Sequence, residues 1–508
     1  MKKLISRLLS RNAAVVILLI MQIAFIALAI ISLGQSFYVV YAALLFLDAV
    51  VIIYIMNGEI PSAYKLSWMI MISIFPIPGG VIYLFFKLSQ RLPKTADDAH
   101  QKRVRQCLVQ KPEVLDKLEK ALPEMSGLAR YVADYGLYPV YSNTGAEYFP
   151  LGEMQFESMI KELNKAERFI FMEFFIIDRG YMFDTISEIL KRKAKEGLDV
   201  RIMYDGIGTG VFNSSAPLRS LEKYGIKCRA FNPFRPFLSS VQNNRDHRKI
   251  VVIDGETAFS GGTNLADEYI NRKERFGHWK DTAVRIRGEA VWNYTIMFLQ
   301  LWDSAEGLAE CMDYYPTKKC SYKYDDDGFV QPFSDSPFDN NPVGKYVYLE
   351  LINNAKEYVY ITTPYLIPDE EMLNALGFAA QKGVDVRVIT PHLPDKWYVH
   401  MIAWNNYPKL ICRGVRVYEY TAGFIHAKCC IADGKTAVIG TINFDFRSFY
   451  LHYESAAIFY NCAVISGMKR DFDETVDSSR CVTMKDCSER SFVKKIVGCL
   501  LNIIAPLL

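Results

Sequence analysis

Residues 247–264 read HRKIVVIDGETAFSGGTN, and residues 426–443 read HAKCCIADGKTAVIGTIN. Both stretches fit one frame, H-x-K-x4-D-x6-G-x2-N, in which these polar residues keep the same spacing. A single histidine on an apolar segment is usually structural, whereas two of the seven histidines of this chain recur in the same frame. We interpret the two stretches as repeated copies of one functional unit.

The polar side chains of each copy fall on one face of a predicted strand. In an extended segment, residues i and i+2 point to the same side, so His247 lies beside Lys249 and His426 beside Lys428. The four residues that follow each lysine are apolar, which indicates a buried strand. Polar groups on such a strand must be hydrogen-bonded or functional.

Together, the two copies predict a pocket for a tetrahedral oxyanion. Two ammonium groups and two amides would neutralise a phosphate group; one neutral imidazole would attack phosphorus, and the other, protonated, would donate to the leaving oxygen. The catalytic candidates are His247, Lys249, Asp254, His426, Lys428 and Asp433, and the phosphate-binding candidates are Asn264 and Asn443. No cluster of acidic residues suggests a divalent metal, so we expect neither a metal nor another cofactor.

The flanking sequence repeats as well. A buried-strand pattern at Ala166–Ile177 is followed by a helical pattern and a second strand, Leu198–Tyr204, and the same order returns with strands at Ala355–Pro364 and Lys382–Ile389. Alternating strands and helices are typical of parallel sheets. We predict an α/β fold of two homologous domains, with mostly parallel or mixed sheets packed about a pseudo-two-fold axis and transmembrane helices before them.

Three apolar runs precede this region, at Ala13–Leu33, Phe37–Met56 and Leu66–Phe86, and each approaches the roughly 20 residues of a membrane-spanning helix. The third contains the break Pro-Ile-Pro-Gly-Gly, which favours a kink or a re-entrant hairpin. Basic residues before and after the runs favour the cytoplasmic side. We predict a multi-pass protein of the cell membrane with two full spans and a cytoplasmic catalytic domain; three spans and an outer-leaflet substrate are the alternative.

The predicted organisation is a membrane anchor at 1–88, a basic linker at 89–119, two domains at 120–335 and 336–490, and an amphipathic apolar C-terminal helix at 491–508. The formal net charge of +3 argues against a nucleic-acid partner. The eleven cysteines show neither C-x-x-C pairs nor the density of a disulfide scaffold. We expect most of them to be small buried hydrophobic residues in a reducing compartment.

The duplicated frame resembles that of the phospholipase D superfamily, and the wider chain looks like the bacterial cardiolipin synthases. Supporting stretches are NLADEY at 264–269, HWKD at 278–281, TTPYLIPD at 362–369 and NFDFRS at 443–448. The resemblance implies transfer of a phosphatidyl group from one phosphatidylglycerol to another through a phosphohistidine, giving cardiolipin and glycerol. It also implies that Asp281 and Glu454 orient the histidines and, by family habit, that His247 is the nucleophile and His426 the general acid.

One departure from the family is Gly261-Gly262, where many relatives have Gly-Ser; it implies a more flexible loop and one hydroxyl fewer in the pocket. The implied partners are phosphatidylglycerol and anionic membrane lipid. Alternative functions are a membrane-bound phospholipase D-type hydrolase, a nuclease, a phosphatidylserine-type synthase and a non-catalytic scaffold. The apolar runs and the low net charge disfavour a nuclease, and two intact copies of the frame disfavour a scaffold.

Overall fold

The computed structural model of the chain describes residues 35–88, 98–209, 216–233, 243–302, 311–316, 328–338 and 341–507. The chain forms two compact units. The smaller unit comprises residues 1–91, 234–244 and 499–508, and the larger unit comprises residues 92–233 and 245–498.

Three helices form the described N-terminal part of the smaller unit: α1 Gln35–Met56, α2 Ser62–Ile74 and α3 Pro76–Leu88. Helix α2 ends before Pro76, because proline lacks the N–H that would continue it, so the predicted break in the third apolar run is present. Trp68 of α2 packs edge-on against Tyr83 of α3, with ring centroids 5.3 Å apart. The third run is therefore two helices of 13 residues each, folded against each other.

The predicted membrane-spanning helices are not supported by the described residues. The first run, Ala13–Leu33, lies outside them, the second forms α1, and the third is divided between α2 and α3. Counted over the residues whose placement is described, no helix is both long and apolar enough to cross a membrane. For the third run the physical reason is its proline break, since thirteen helical residues extend only about 20 Å.

The remaining helices are α4 Asp98–Cys107, α5 Pro112–Ala121, α6 Pro123–Asp134, α7 Gly152–Lys165, α8 Tyr181–Lys195, α9 Ala216–Leu221, α10 Val291–Trp302, α11 Val343–Asn354, α12 Glu370–Gln381, α13 Trp397–Ile411, α14 Phe446–Tyr450, α15 Val464–Asp477, α16 Met484–Glu489 and α17 Phe492–Ile504. The strands are β1 Thr144–Phe149, β2 Phe169–Phe174, β3 Asp199–Asp205, β4 Lys227–Phe231, β5 Ile250–Ile253, β6 Thr257–Gly261, β7 His278–Lys280, β8 Ala283–Gly288, β9 Phe329–Asp335, β10 Tyr358–Thr362, β11 Leu366–Ile367, β12 Asp385–Pro391, β13 Arg416–Tyr420, β14 Gly423–Ile425, β15 Cys429–Ala432, β16 Thr436–Gly440, β17 Phe444–Asp445, β18 Glu454–Tyr460 and β19 Ser479–Cys481.

Each half of the larger unit builds one main sheet, and the two sheets share a strand order. The first runs β1-β8-β6-β5-β2-β3-β4, and the second runs β9-β18-β16-β15-β10-β12-β13-β19. Only β2-β3-β4 and β10-β12-β13 are parallel in these sheets, and the other neighbours are antiparallel. The prediction of mixed sheets is confirmed, and the expectation that they are mostly parallel is wrong.

Tight turns explain one antiparallel pair of strands in each main sheet. Residues 254–256 join β5 to β6 and residues 433–435 join β15 to β16, and the Asp-Gly pair that begins each loop has positive φ at both residues, between 53° and 73°. Asp-Gly is a typical sequence for a hairpin turn in which both residues have positive φ. Such a hairpin joins antiparallel strands, whereas parallel neighbours need a crossover, here a helix. After the strand that follows each H-x-K segment, the chain therefore reverses direction and forms the next, antiparallel strand.

One hydrophobic core extends through both halves of the larger unit. Phe171 of β2 stacks on Phe298 of α10, with centroids 4.6 Å apart, and Val359 of β10 belongs to the same core. Strand β9 pairs along its whole length with β18 of the second sheet. Strand β9, at the end of the predicted first domain at 120–335, therefore belongs to the second sheet.

A disulfide bond joins Cys107 at the end of α4 to Cys311. This pair differs from the prediction of reduced cysteines. Other cysteines fit that prediction, since Cys429, Cys430 and Cys487 are buried thiols and a buried thiol packs as a small apolar side chain.

Candidate active site

Backbone hydrogen bonds hold each H-x-K segment against the opposite half of the larger unit. The N–H of His247 donates to the carbonyl oxygen of Tyr453 at 2.9 Å. In the other copy, the N–H of His426 donates to the carbonyl oxygen of Lys280 at 2.7 Å, where β14 runs parallel to β7. Each histidine is therefore placed by the backbone of the half that does not carry it.

A carboxylate from the opposite half also binds each imidazole. Nδ1 of His247 lies 3.0 Å from both carboxylate oxygens of Glu454, and Nδ1 of His426 lies 2.7 Å from Oδ2 of Asp281. All four residues are buried. Because each Nδ1 donates to a carboxylate, Nε2 of the neutral ring carries the lone pair. The two copies thus build one centre, and neither half holds a complete one.

Hydroxyl groups fix the carboxylate beside His247. Glu454 accepts a hydrogen bond from Oγ of Ser448 at 2.7 Å and another from Oγ1 of Thr441. These residues lie on β18, on α14 and immediately after β16, so three separate elements set the position of one carboxylate. A carboxylate held this way gives the imidazole a defined orientation.

The carboxylate beside His426 is held differently. Oδ1 of Asp281 accepts the backbone N–H of Thr282 at 2.9 Å. The position that matches Thr441 in the frame is Gly262, where an added Cβ would overlap Oδ1 of Asp281. The sequence predicted a flexible loop at this glycine; the structure gives a steric reason for it, since Asp281 occupies the space that a side chain would need.

Burial lowers the pKa of both imidazoles. The pKa of His426 falls to about 4, with Lys428 lowering it further and Asp281 opposing the shift. The pKa of His247 lies well below its ordinary value, because of burial first and then the charges of Lys249 and Lys428. Without an anion, both rings are therefore neutral at neutral pH. A phosphodiester anion would offset the lysine charges and favour protonation of one ring.

The two lysines stand in equivalent places. Nζ of Lys249 donates to the carbonyl oxygen of His247 at 2.5 Å, and Nζ of Lys428 donates to that of His426. Burial lowers the pKa of Lys249 to about 7 and that of Lys428 to about 8. Such cations are costly without a counter-charge, so the centre favours an anionic ligand.

The two asparagines contact neighbouring side chains. Nδ2 of Asn264 donates to the hydroxyl of Tyr269 at 2.7 Å, and Oδ1 of Asn264 accepts the N–H of Ile176 at 3.0 Å. Nδ2 of Asn443 donates to Oγ of Ser448 at 3.2 Å. Each amide therefore uses one N–H to hold a hydroxyl next to the histidines, and its second N–H is the one available for a phosphate oxygen.

The frame's two aspartates lie at the far ends of their strands. The carboxylate of Asp254 accepts the backbone N–H groups of residues 167, 168 and 169 at 2.7–3.0 Å. The carboxylate of Asp433 accepts those of residues 356, 357 and 358 at 2.8–2.9 Å. Each fastens its hairpin to the start of the neighbouring strand. This placement differs from the prediction that both are catalytic, because strands β5 and β15 separate them from the histidines.

Sequence reasoning missed a third histidine. The ring of His452 lies 5.6 Å from that of His247, and its Nδ1 lies 3.6 Å from Oε1 of Glu454. Burial lowers the pKa of His452 to about 3. Its position two residues before Glu454 matches that of Trp279 before Asp281, and Trp279 packs on His426 at 5.6 Å. Only alignment of the two carboxylates would have revealed this correspondence.

Sequence reasoning also missed a buried ion pair next to the first copy. Arg248, the variable residue of H-x-K, binds Glu173 of β2 at 2.6 Å and contacts Oγ of Ser334 on β9 at 3.3 Å. The second copy has Ala427 at this position, so it has no counterpart of the contact between Arg248 and Ser334 that joins the two halves.

Within the described residues, His247, His452 and Glu454 form a group that could hold a metal ion, with ligand atoms within 4.8 Å of one another. Glu454 already accepts hydrogen bonds from His247, Ser448 and Thr441, so the protein's own donors satisfy it. We assign this group to hydrogen bonding.

The chain is similar in sequence to a known cardiolipin synthase and similar in fold to a phosphatidylserine synthase. Residues 159–302 and 348–476 match the family described as cardiolipin synthase, PLD-like domain. The chain is 34% identical to a cardiolipin synthase of Geobacillus kaustophilus, over 88% of this chain and 89% of that protein. It is 43% identical to an uncharacterized protein of Streptococcus mutans, over 90% of this chain and 99% of that protein. The crystal structure of the phosphatidylserine synthase of Haemophilus influenzae is similar in fold, with a TM-score of 0.57 and 14% identity over 75% of this chain and 97% of that one.

Proposed function

The chain belongs to the cardiolipin synthase family with phospholipase-D-like domains, and we propose that it converts two phosphatidylglycerol molecules into cardiolipin and glycerol. The observation that carries this proposal is the crossed pairing of His247 with Glu454 and of His426 with Asp281. It supplies two imidazoles, each bound through Nδ1 and without a hydrogen bond at Nε2 among the described residues, in one centre with two buried lysines. A double displacement at phosphorus needs one nucleophile and one acid–base group.

In the first step, Nε2 of His247 attacks the phosphorus of one phosphatidylglycerol. The bond from phosphorus to the glycerol oxygen breaks, and Nε2–H of His426 protonates that oxygen, so free glycerol leaves. The products on the enzyme are a phosphatidyl group on His247 and a neutral His426. Glu454 stabilises the positive charge that develops on the ring of His247, since its carboxylate lies against Nδ1.

In the second step, a terminal hydroxyl of another phosphatidylglycerol gives its proton to His426 and attacks the phosphorus. The N–P bond breaks, cardiolipin forms, and His426 is protonated again. Lys249 and Lys428 would bind the non-bridging oxygens, whose charge grows in both transition states. Since burial lowers the pKa of Lys249 to about 7 and that of Lys428 to about 8, binding of the substrate anion would bring protons into the centre.

The test is to supply purified protein with vesicles of phosphatidylglycerol, without nucleotide or metal, and to identify the products. We expect cardiolipin and glycerol in equal amounts. Phosphatidic acid as the main product would replace this proposal with a hydrolase. Phosphatidylserine formed when serine is added, in preference to cardiolipin, would replace it with a serine-accepting synthase, and a requirement for CDP-diacylglycerol would contradict the mechanism.

We also propose that the enzyme is a multi-pass protein of the cell membrane whose larger unit faces the cytoplasm. Three apolar runs before residue 88 and the basic residues around them support this. So do exposed apolar side chains on α1, such as Phe46 and Val39. The disulfide between Cys107 and Cys311 speaks against a reducing side.

Thiol labelling of single-cysteine variants in intact cells tests the orientation. An impermeant reagent should label a cysteine placed on the surface of residues 100–120 only after permeabilisation. Labelling without permeabilisation would place the larger unit outside the cell, where the disulfide would be stable.

A further inference from the structure

Three exposed side chains stand together between β12 and the start of α13. Leu393 is 42% exposed, Trp397 is 64% exposed, and Lys396 lies between them in sequence and is also exposed. Two large apolar side chains and a cation therefore share one exposed segment. We call Leu393, Lys396 and Trp397 the lip.

The lip adjoins the catalytic centre. Nζ of Lys396 lies 4.9 Å from the ring centre of Tyr365, whose hydroxyl donates to Asp395 at 2.6 Å. Tyr365, Asp395 and Lys396 line one recess. Tyr365 immediately precedes β11, and Leu366 of β11 pairs with Phe444 of β17, the residue after the candidate Asn443.

Among the described residues, no carboxylate oxygen lies within 4.0 Å of the Lys396 ammonium, although burial raises the pKa of Asp445 and the charge of Lys396 opposes that rise. The close contact of Lys396 there is the face of Tyr365, and Asp395 is engaged by the Tyr365 hydroxyl. A cation with this environment is complementary to an anion that arrives from outside. Tryptophan is enriched at the water–lipid boundary, where its ring lies among head groups, and lysine is attracted to anionic leaflets.

We propose that the lip docks on a lipid surface that contains phosphatidylglycerol, with Trp397 and Leu393 entering the head-group region and Lys396 binding the phosphate of the lipid that enters the centre. This inference rests on the proposed function, because it assigns the route by which that substrate arrives. The lip therefore controls how well the enzyme uses lipid in a bilayer or micelle, and contributes little to the chemistry at phosphorus.

A matched control surface exists in the same unit. Phe378 on α12 is 63% exposed, and Nζ of Lys382 lies 5.9 Å from its ring centre. The side chain of Phe378 is exposed to nearly the same extent as that of Trp397, and it also has a lysine beside it. We therefore compare W397A with F378A and K396Q with K382Q.

The kinetic test uses full-length protein and phosphatidylglycerol diluted in detergent micelles. W397A and K396Q should raise the KM, expressed as mole fraction of phosphatidylglycerol, about 5-fold or more, with kcat within about 2-fold of wild type. With a short-chain phosphatidylglycerol below its critical micelle concentration, W397A should have the KM of the wild type, whereas K396Q should keep its raised KM. F378A and K382Q should match wild type throughout. Equal behaviour of W397A and F378A on micelles would overturn the proposal.

A second measurement does not depend on activity. Brominated acyl chains in nanodiscs of phosphatidylglycerol should quench a component of the tryptophan fluorescence that W397F lacks and F378A keeps. Equal quenching in W397F and wild type would show that Trp397 does not reach lipid. A change of oligomeric state in W397A would instead assign the lip to a second copy of the chain. If wild type makes no cardiolipin but quenching appears as predicted, the proposed function fails and the lipid contact stands.

Discussion

Replacing Asp281 with asparagine changes one oxygen for an NH₂ group and keeps the size of the side chain. In the wild-type protein, the Asp281 carboxylate accepts from Nδ1 of His426 at 2.7 Å and is fully buried. Although burial opposes ionisation, His426 and Lys428 hold the pKa of Asp281 below its ordinary value. D281N therefore removes a negative charge and leaves an amide that can present N–H to the ring.

The expected magnitude follows from that bond. A hydrogen bond to a charged group contributes about 1.5–3 kcal/mol, and each 1.36 kcal/mol is a factor of ten in rate, so the bond alone accounts for about 10- to 150-fold. The asparagine also favours the wrong tautomer of His426, which moves the proton away from the leaving oxygen. Together we expect kcat to fall by about 10²- to 10⁴-fold, with little change in KM.

The assay compares D281N with E454Q on two substrates: phosphatidylglycerol, and a phosphatidyl ester of a good leaving group such as p-nitrophenol. If His426 is the general acid, D281N should slow the first step strongly with phosphatidylglycerol and weakly with the p-nitrophenyl ester, which leaves without a proton. E454Q should slow the first step with both, because Glu454 serves the nucleophile His247. The burst of p-nitrophenol measures that step directly.

Two results would refute this reasoning. If E454Q kept the burst and D281N lost it, the roles of His247 and His426 would be exchanged. If either variant kept about half of the wild-type activity, the two copies would act as independent sites, and the crossed pairing would have no catalytic meaning. Loss of folding is separated from both outcomes by thermal denaturation of each variant.

Other variants and conditions test the remaining assignments. H247A should abolish the phosphohistidine that acid-free electrophoresis traps with labelled lipid; an adduct that persists would place the nucleophile elsewhere. D254A should lower the free energy of unfolding in urea by about 1–3 kcal/mol, since three backbone N–H groups lose their acceptor, while the activity of the folded fraction stays near wild type. G262A should reduce kcat at least about 10-fold by displacing the Asp281 carboxylate, whereas G467A, which has open space around it, should not. Binding of tungstate at pH 8 should take up protons, because an anion raises the pKa of Lys249 from about 7 and that of Lys428 from about 8; calorimetry in two buffers of different ionisation enthalpy measures the uptake, and a release of protons would contradict the assignment.

Local sequence was enough for the elements that carry the centre. The four apolar residues that follow Lys249 predicted a buried strand, and they form β5, which is fully buried. The Asp-Gly pair after each strand favours a hairpin, because this pair is common in turns whose two central residues have positive φ. The prediction that the sheets are mostly parallel was wrong for these strands. It assumed that a helix follows each strand, whereas a hairpin connects β5 to β6 and β15 to β16.

The presence of two copies of one frame, their residues and the chemistry that suits those residues can be read from the sequence. Which carboxylate serves which histidine depends on the packing of distant segments. His247 and Glu454 are 207 residues apart, and His426 and Asp281 are 145 apart. Side-chain periodicity reports on neighbours within a strand or a helical turn, whereas these contacts depend on how the two sheets pack around a shared core. That packing also explains why Asp254 and Asp433, although part of the frame, hold hairpins at the opposite ends of β5 and β15.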